Sequence, residues 1–139
     1  MVHIVTDFGP FVRHKDQILQ NQLHYPETSE VLAMLTYGEG FTDKSIAYLL
    51  DLGAVVGYAY VEHFQTTQHR DACGTFGIFI HPAYRNKRFS YQLIEAVRDE
   101  MQQRNLLGQP LEVDHKALPL IRKIFGEDYP LKEILEPAD

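Results

Sequence analysis

The clearest change of period along the chain falls between Gly74 and Met101, in GTFGIFIHPAYRNKRFSYQLIEAVRDEM. Phe76 to Ile80 is a near-continuous apolar run, which predicts a strand covered on both faces. Beyond the basic turn the period becomes helical. Phe89, Leu93, Val97 and Met101 recur four residues apart with Ile94 and Ala96 beside them, and Gln92, Glu95, Arg98, Asp99 and Gln102 take the other side. The spacing predicts a helix from about Phe89 to Arg104. Gly108 and Pro110 end that unit, and Leu111-Glu112-Val113 reads as a short strand. Ala117 to Phe125 carries Leu118, Ile121, Ile124 and Phe125 at helical spacing, with Pro119 tolerable only in the first turn. Leu131 to Leu135 reads as a last strand.

The first half is more weakly patterned. Val2 to Thr6 reads as a short edge strand. Phe11, Ile18, Leu19 and Leu23 give a partial helical period that His24-Tyr25-Pro26 breaks. Val31, Leu32 and Leu35 give a second short apolar face, and Tyr37-Gly38-Glu39-Gly40 reads as a loop. SIAYLLDL and AVVGYAYVEHF, within Ser45 to Phe64, are rich in β-branched and aromatic residues and are joined by a turn at Asp51 to Gly53. Gly57 inside the second of them predicts a bulge or a close backbone approach. Gln65 to Asp71 is polar and reads as a hairpin loop. The order β-α-α-β-β-β-α-β-α-β, hairpins followed by strand–helix–strand crossovers, predicts a mixed sheet with helices on its faces.

Composition narrows the partners. At 139 residues the chain is long enough for one domain with a real core, and we read residues 1–139 as a single domain. A net charge of -6 disfavours a general nucleic-acid surface. The single cysteine, Cys73, excludes an internal disulfide and fits a reducing compartment. MVHIVTDF lacks a basic n-region and a long apolar run, so no signal peptide is expected, and no stretch approaches the roughly 18 apolar residues of a membrane span. The expected location is the cytoplasm, with no membrane or nucleic-acid partner.

Against this acidic background Arg85, Lys87 and Arg88 are a local exception, placed at the start of the expected helix. Cations oppose the dipole there unless an anion is bound, whereas unpaired backbone N–H groups and the dipole both favour a phosphate-bearing ligand. The alternative is a solvated basic turn, with Phe89 as core and Ser90 as a helix cap.

AVVGYAYV, down to Gly57, and GIFIHPAYRNKRFSYQLIEAV resemble the third strand and the fourth strand, pyrophosphate loop and following helix of the GNAT superfamily of N-acetyltransferases. The resemblance covers most of the chain in element order and is specific in Ser45 to Val113. It implies an α/β (α+β) fold, with a mixed, mostly antiparallel central sheet flanked by helices. It also implies transfer of an acyl group from acetyl-CoA, as cosubstrate, to an amine carried by a small molecule or a protein. The backbone of Ile78, Phe79 and Ile80 would then pair with the pantetheine arm like an added strand. The amides of Lys87 to Ser90, with Arg85, Lys87 and Arg88, would hold the pyrophosphate. Many members dimerise through their last strands, which leaves a homodimer open here.

Two positions depart from the family. Its loop runs Gln or Arg, two variable residues, Gly, one variable residue, then Gly or Ala, and Arg88 stands at the first glycine. If that position takes a left-handed backbone, Arg88 costs roughly 1–2 kcal/mol, and a charge-assisted bond to phosphate returns about 1.5–3 kcal/mol. Asp114 takes the place of an Asn, and Ile121 or Ile124 that of a Tyr that protonates the leaving thiolate in similar enzymes.

Direct acyl transfer needs a base for the amine and donors for the oxyanion, but no enzymatic nucleophile. Glu112 is the first candidate base, because similar enzymes use a Glu in the fifth strand and flanking apolar residues would raise its pKa; the alternative is that it alternates outward. Glu62 and His63 close the preceding hairpin strand and are the next candidates. His81, before Pro82, reads as a turn residue. Tyr37, Phe41, Tyr58 and Tyr60 are candidates to line an acceptor groove or to pack in the core. A Cys73–His69 nucleophilic pair lacks a third orienting group, and the seven histidines show no ligand spacing such as HExxH. The rival function is a catalytically degenerate GNAT-fold binding or structural protein, a kind of compact chain that also occurs in bacteriophages.

Overall fold

The β-branched and aromatic hairpin segments and the four-residue period beyond them resolve, among the described residues, into six strands and three helices in the computed structural model, which describes residues 2–6, 9, 13, 15–26, 44–51, 53–65 and 71–134. The elements are β1 (His3–Val5), α1 (Lys15–Gln22), β2 (Lys44–Asp51), β3 (Ala54–Gln65), β4 (Asp71–Ile80), a 3-10 turn (Pro82–Tyr84), α2 (Phe89–Gln103), β5 (Leu111–Asp114), α3 (Leu118–Phe125) and β6 (Leu131–Ile134). The expected helical face at Val31 to Leu35 and loop at Tyr37 to Gly40 lie outside the described residues, as does the tip of the β3–β4 hairpin.

The strands form one sheet in chain order, β1 to β6. The first three pairings are antiparallel, and β4–β5 and β5–β6 are parallel. The sheet is therefore mixed, as the pattern predicts, and mostly antiparallel, as the family resemblance implies. Helices α2 and α3 supply the crossovers and bury Leu93, Ile94, Val97, Met101, Ile121 and Ile124 with Ala47, Leu49, Val56, Val61, Phe76 and Ile80. The opposite face carries a smaller cluster, in which Ile18 of α1 packs with Val5, Ile46, Tyr48, Leu50 and Val55. Burial of these side chains supplies the main driving force, at about 25 cal/mol per Å² removed from water.

Two irregularities shape the sheet. Leu49 pairs with Gly57 but Leu50 pairs with Val55, so Val56 is the extra residue of a bulge beside Gly57. The Val56 carbonyl accepts from the His81 N–H at 2.8 Å. A Cβ on Gly57 would stand 3.1 Å from the Phe79 carbonyl, so the close approach expected there is present. The second irregularity lies between Val61, opposite Phe76, and His63, opposite Cys73. It sets Gly74 and Thr75 of β4 against Glu62 alone. A bulge bends its strand, and β4 meets β5 at one pair only, Thr75 with Glu112.

That parting corrects one expectation. Phe76 and Ile80 are buried, but Gly77, Ile78 and Phe79 remain partly open rather than covered on both faces, because β5 leaves β4 beyond Thr75. Helix α1 differs as well. Leu19 is 40% and Leu23 80% exposed, while Gln22 is buried. The partial apolar period overcounted the leucines because the inward position at the helix end is filled by a polar side chain with backbone partners.

Candidate functional site

Where β4 and β5 separate, a cleft of about 620 Å³ opens. Phe76 and Ile78 line it from the helix side of β4, and Thr75 and Gly77 from the next positions along the strand. The cleft thus follows the edge of β4 from which β5 has parted. Ser90 and Ile94 of α2 form one wall, and Asp114, Lys116, Ala117 and Leu120 the other. A second groove of about 410 Å³ continues from it, sharing Ile78 and Ser90 and extending past Ile80, Tyr84, Arg85, Asn86, Arg88 and Phe89. The two form a track along the free edge of β4 to the N-terminus of α2.

The loop at that end is tightly built. His81 Nδ1 accepts from the Ala83 N–H at 3.2 Å and caps the 3-10 turn. Arg85 Nε donates to the Ile80 carbonyl at 2.7 Å, and its guanidinium lies 5.8 Å from the centre of the Phe79 ring. Tyr84 donates to Asp51 Oδ2 at 2.5 Å, tying the loop to the β2–β3 turn. Burial, and then the hydrogen bond to Asp51, hold the Tyr84 hydroxyl protonated well above the ordinary tyrosine range.

Arg88 is the N-cap of α2 in the left-handed region, φ 64°, ψ 11°, with no side-chain capping bond. Asn86 also has φ 64°. The first helical bond runs from the Gln92 N–H to the Arg88 carbonyl at 3.3 Å. The amides of Phe89, Ser90 and Tyr91 precede it and have no intrahelical acceptor.

The site residues read from the sequence divide accordingly. Ile78, Ile80, Arg85, Arg88, Phe89 and Ser90 lie along the track. Phe79 alternates to the other face, its ring tilted at 33° to that of Tyr58 with centroids 6.1 Å apart. The Lys87 ammonium stands 6.0 Å from the centre of the Tyr84 ring, and Lys87 is not among the track residues. Ser90 is not the helix cap, because Arg88 is.

Both candidate bases are exposed and outside the track lining. Leu111 and Val113 turn into the helix-side core, so they flank Glu112 in sequence without burying it. Glu112 thereby takes the face away from α2 and α3. Glu62 shares that face with Tyr60, two residues earlier, and its charge adds to the burial that raises the Tyr60 pKa. His63 points the other way, 2.8 Å from Ser45 Oγ and 3.4 Å from Arg104. Arg104 can only donate, so Nδ1 accepts and Nε2 carries the proton towards Ser45; His63 is not poised as a base for that hydroxyl. Ile121 and Ile124 are buried core residues. Thr75, Gly77 and Lys116 were not legible as site residues, because only the parting of β5 exposes them.

The sequence profile of the Acetyltransferase (GNAT) family matches residues 14–126. The chain belongs to the GNAT acetyltransferase family. The fold agrees. Glucosamine-6-phosphate N-acetyltransferase from Arabidopsis thaliana superposes with a TM-score of 0.57 at 12% identity, over 100% of this chain and 98% of that one. The aminoglycoside N-acetyltransferase AAC(6')-Iy, solved with a CoA bisubstrate analogue, gives 0.55 at 15% identity over 100% and 99%. A predicted acetyltransferase from Clostridium acetobutylicum solved with acetyl-CoA gives 0.55 at 9% identity over 100% and 95%. No curated protein matches the chain in sequence. Among the described residues of this GNAT chain no helix is long and apolar enough to cross a membrane, and no group of three or more His, Cys, Asp or Glu is placed to hold a metal ion.

Proposed function

We propose that the protein is an acyl-CoA-dependent N-acyltransferase, with acetyl-CoA as donor and a cationic amine as acceptor. The observation that carries this reading is the continuous track from the unpaired edge of β4 to the open amides of α2. An extended pantetheine arm satisfies strand N–H and C=O groups as an added strand does. A pyrophosphate suits the amides of Phe89, Ser90 and Tyr91 together with the Arg88 and Arg85 guanidiniums.

The thioester then lies where β4 and β5 part, beside Gly77 and Ile78. The amine approaches from the face that carries Glu112 and Glu62. Two exposed carboxylates on that face favour an acceptor that arrives as an ammonium ion, and either takes its proton directly or through water. Backbone N–H groups of β4 polarise the thioester carbonyl. The acceptor resides on a small molecule or a protein.

Thiol release from acetyl-CoA, screened over polyamines, aminoglycosides and lysine peptides, tests the reading. Amine-dependent release is the expected result. Calorimetric binding of acetyl-CoA without release with any amine would instead support the non-catalytic reading, which the burial of Ile121 in the core favours.

A further inference from the structure

The turn between β4 and α2 holds two left-handed positions that are not glycine, Asn86 and Arg88, each at φ 64°. That conformation is disfavoured for any residue with a Cβ, and no side-chain bond caps α2 to hold it. Pro82, Ala83 and residues 85–88 are exposed, so packing does not hold it either. Among the described residues, two hydrogen bonds tie residues 82–88 to anything beyond β4, His81 and α2, and both belong to the Tyr84 hydroxyl. It donates to Asp51 Oδ2 at the end of β2, 2.5 Å away. With its one proton engaged there, its oxygen accepts from the Tyr25 hydroxyl at 3.5 Å. The Tyr84 ring meets Phe89, the first residue of α2, with centroids 6.4 Å apart, and lines the groove beside Arg85, Asn86 and Arg88. One side chain thus fastens the turn to the β2–β3 hairpin.

Resting on the acyltransferase reading above, we propose that Tyr84 is a positioning residue for the cosubstrate: its bond to Asp51 holds the turn in the form whose amides and guanidiniums receive pyrophosphate. Tyr84 acts through the turn and on no reacting atom. A hydroxyl bonded to a carboxylate is of the charge-assisted, stronger class, and here it opposes the cost of the two left-handed positions. Without it the exposed turn samples other conformations. The apparent affinity then falls by the fraction of molecules that keep the competent one.

The test is the dissociation constant of acetyl-CoA, measured by calorimetry for the parent, Tyr84→Phe, Asp51→Ala, the double variant and Asp51→Asn. Tyr84→Phe and Asp51→Ala should each bind about tenfold more weakly. The double variant should bind no more weakly than either, because both changes remove the same bond. Asp51→Asn keeps an acceptor oxygen and should stay within about threefold of the parent. Tyr129→Phe is the control for lost stability alone: it removes the hydroxyl bonded to Gly108 and Gln109, at the other end of α2, and should bind as the parent does. Equal affinity in the parent and Tyr84→Phe overturns the role of Tyr84 alone. So do additive losses in the double variant, an Asp51→Asn as weak as Asp51→Ala, or an equal loss in Tyr129→Phe. A parent that does not bind acetyl-CoA removes the acyltransferase reading, and the proposal with it.

Discussion

The Gln22 side-chain amide closes two hydrogen bonds on the backbone of Val55, accepting from its N–H and donating to its carbonyl, each at 2.9 Å. The last turn of α1 thereby stands in for a neighbouring strand beside the β3 bulge. Both groups are buried, and an unsatisfied buried polar group costs about 1–3 kcal/mol. Gln22→Ala should lose about 2–4 kcal/mol in urea unfolding. A loss under 0.5 kcal/mol would mean that α1 does not hold the bulge.

Gly77 has no room for a side chain beneath Tyr60. Gly77→Ala should destabilise by about 1–3 kcal/mol, as overpacking does. A double-mutant cycle with Tyr60→Ala should recover most of that loss, since the two residues are in contact. Additive effects in the cycle would show that the ring does not lie across Gly77.

Arg88 holds a left-handed conformation at φ 64°. Relief of that strain should make Arg88→Gly more stable by about 1 kcal/mol without ligand. The same change removes a guanidinium from the groove, so CoA should bind more weakly even as the melting temperature rises. A variant that is more stable and binds CoA as tightly as the parent would assign Arg88 no part in holding phosphate.

Tyr84 supplies a pH dependence. Its folded-state pKa is raised by burial and by Asp51, above the ordinary value near 10. Above that pH the unfolded chain gives up a proton that the folded chain keeps. Stability that is fully present below pH 10 is therefore lost as pH rises towards the folded value. Tyr84→Phe should be less stable at pH 7, for want of the Asp51 bond, yet decline less steeply above pH 10 in thermal melts. Tyr60 shifts in the same direction, so the flattening should be partial. Parallel curves for parent and variant would contradict this.

The fold was legible wherever period and burial agree. The Leu93, Val97 and Met101 stripe of α2 falls where the pattern places it because the helix buries one face, and the two hairpin strands because their apolar residues bury both. Gln22 was not legible, since nothing local marks a glutamine whose partner lies 33 residues away. The openness of Ile78 and Phe79 was hidden for a related reason: it depends on β5 leaving β4 after a single pair. The loop from Arg85 to Ser90 could be read as an anion site because a helix start and its charges are local. Which cations face the groove was not local, and Lys87 sits beside Tyr84 instead. The reach of Tyr60 over Gly77 is a matter of register between strands, which composition and spacing do not carry.

Calorimetric titration of acetyl-CoA into the parent and into Arg88→Glu, with melting curves at millimolar ligand, bears most directly on the track along β4. The parent should give a saturable heat, and at 100 times the dissociation constant a gain of about 2.7 kcal/mol in stability. Arg88→Glu, which puts like charge against pyrophosphate, should bind at least tenfold more weakly. No heat and no melting shift in the parent would contradict the cosubstrate site itself, and equal binding by both proteins would contradict its placement at the N-terminus of α2.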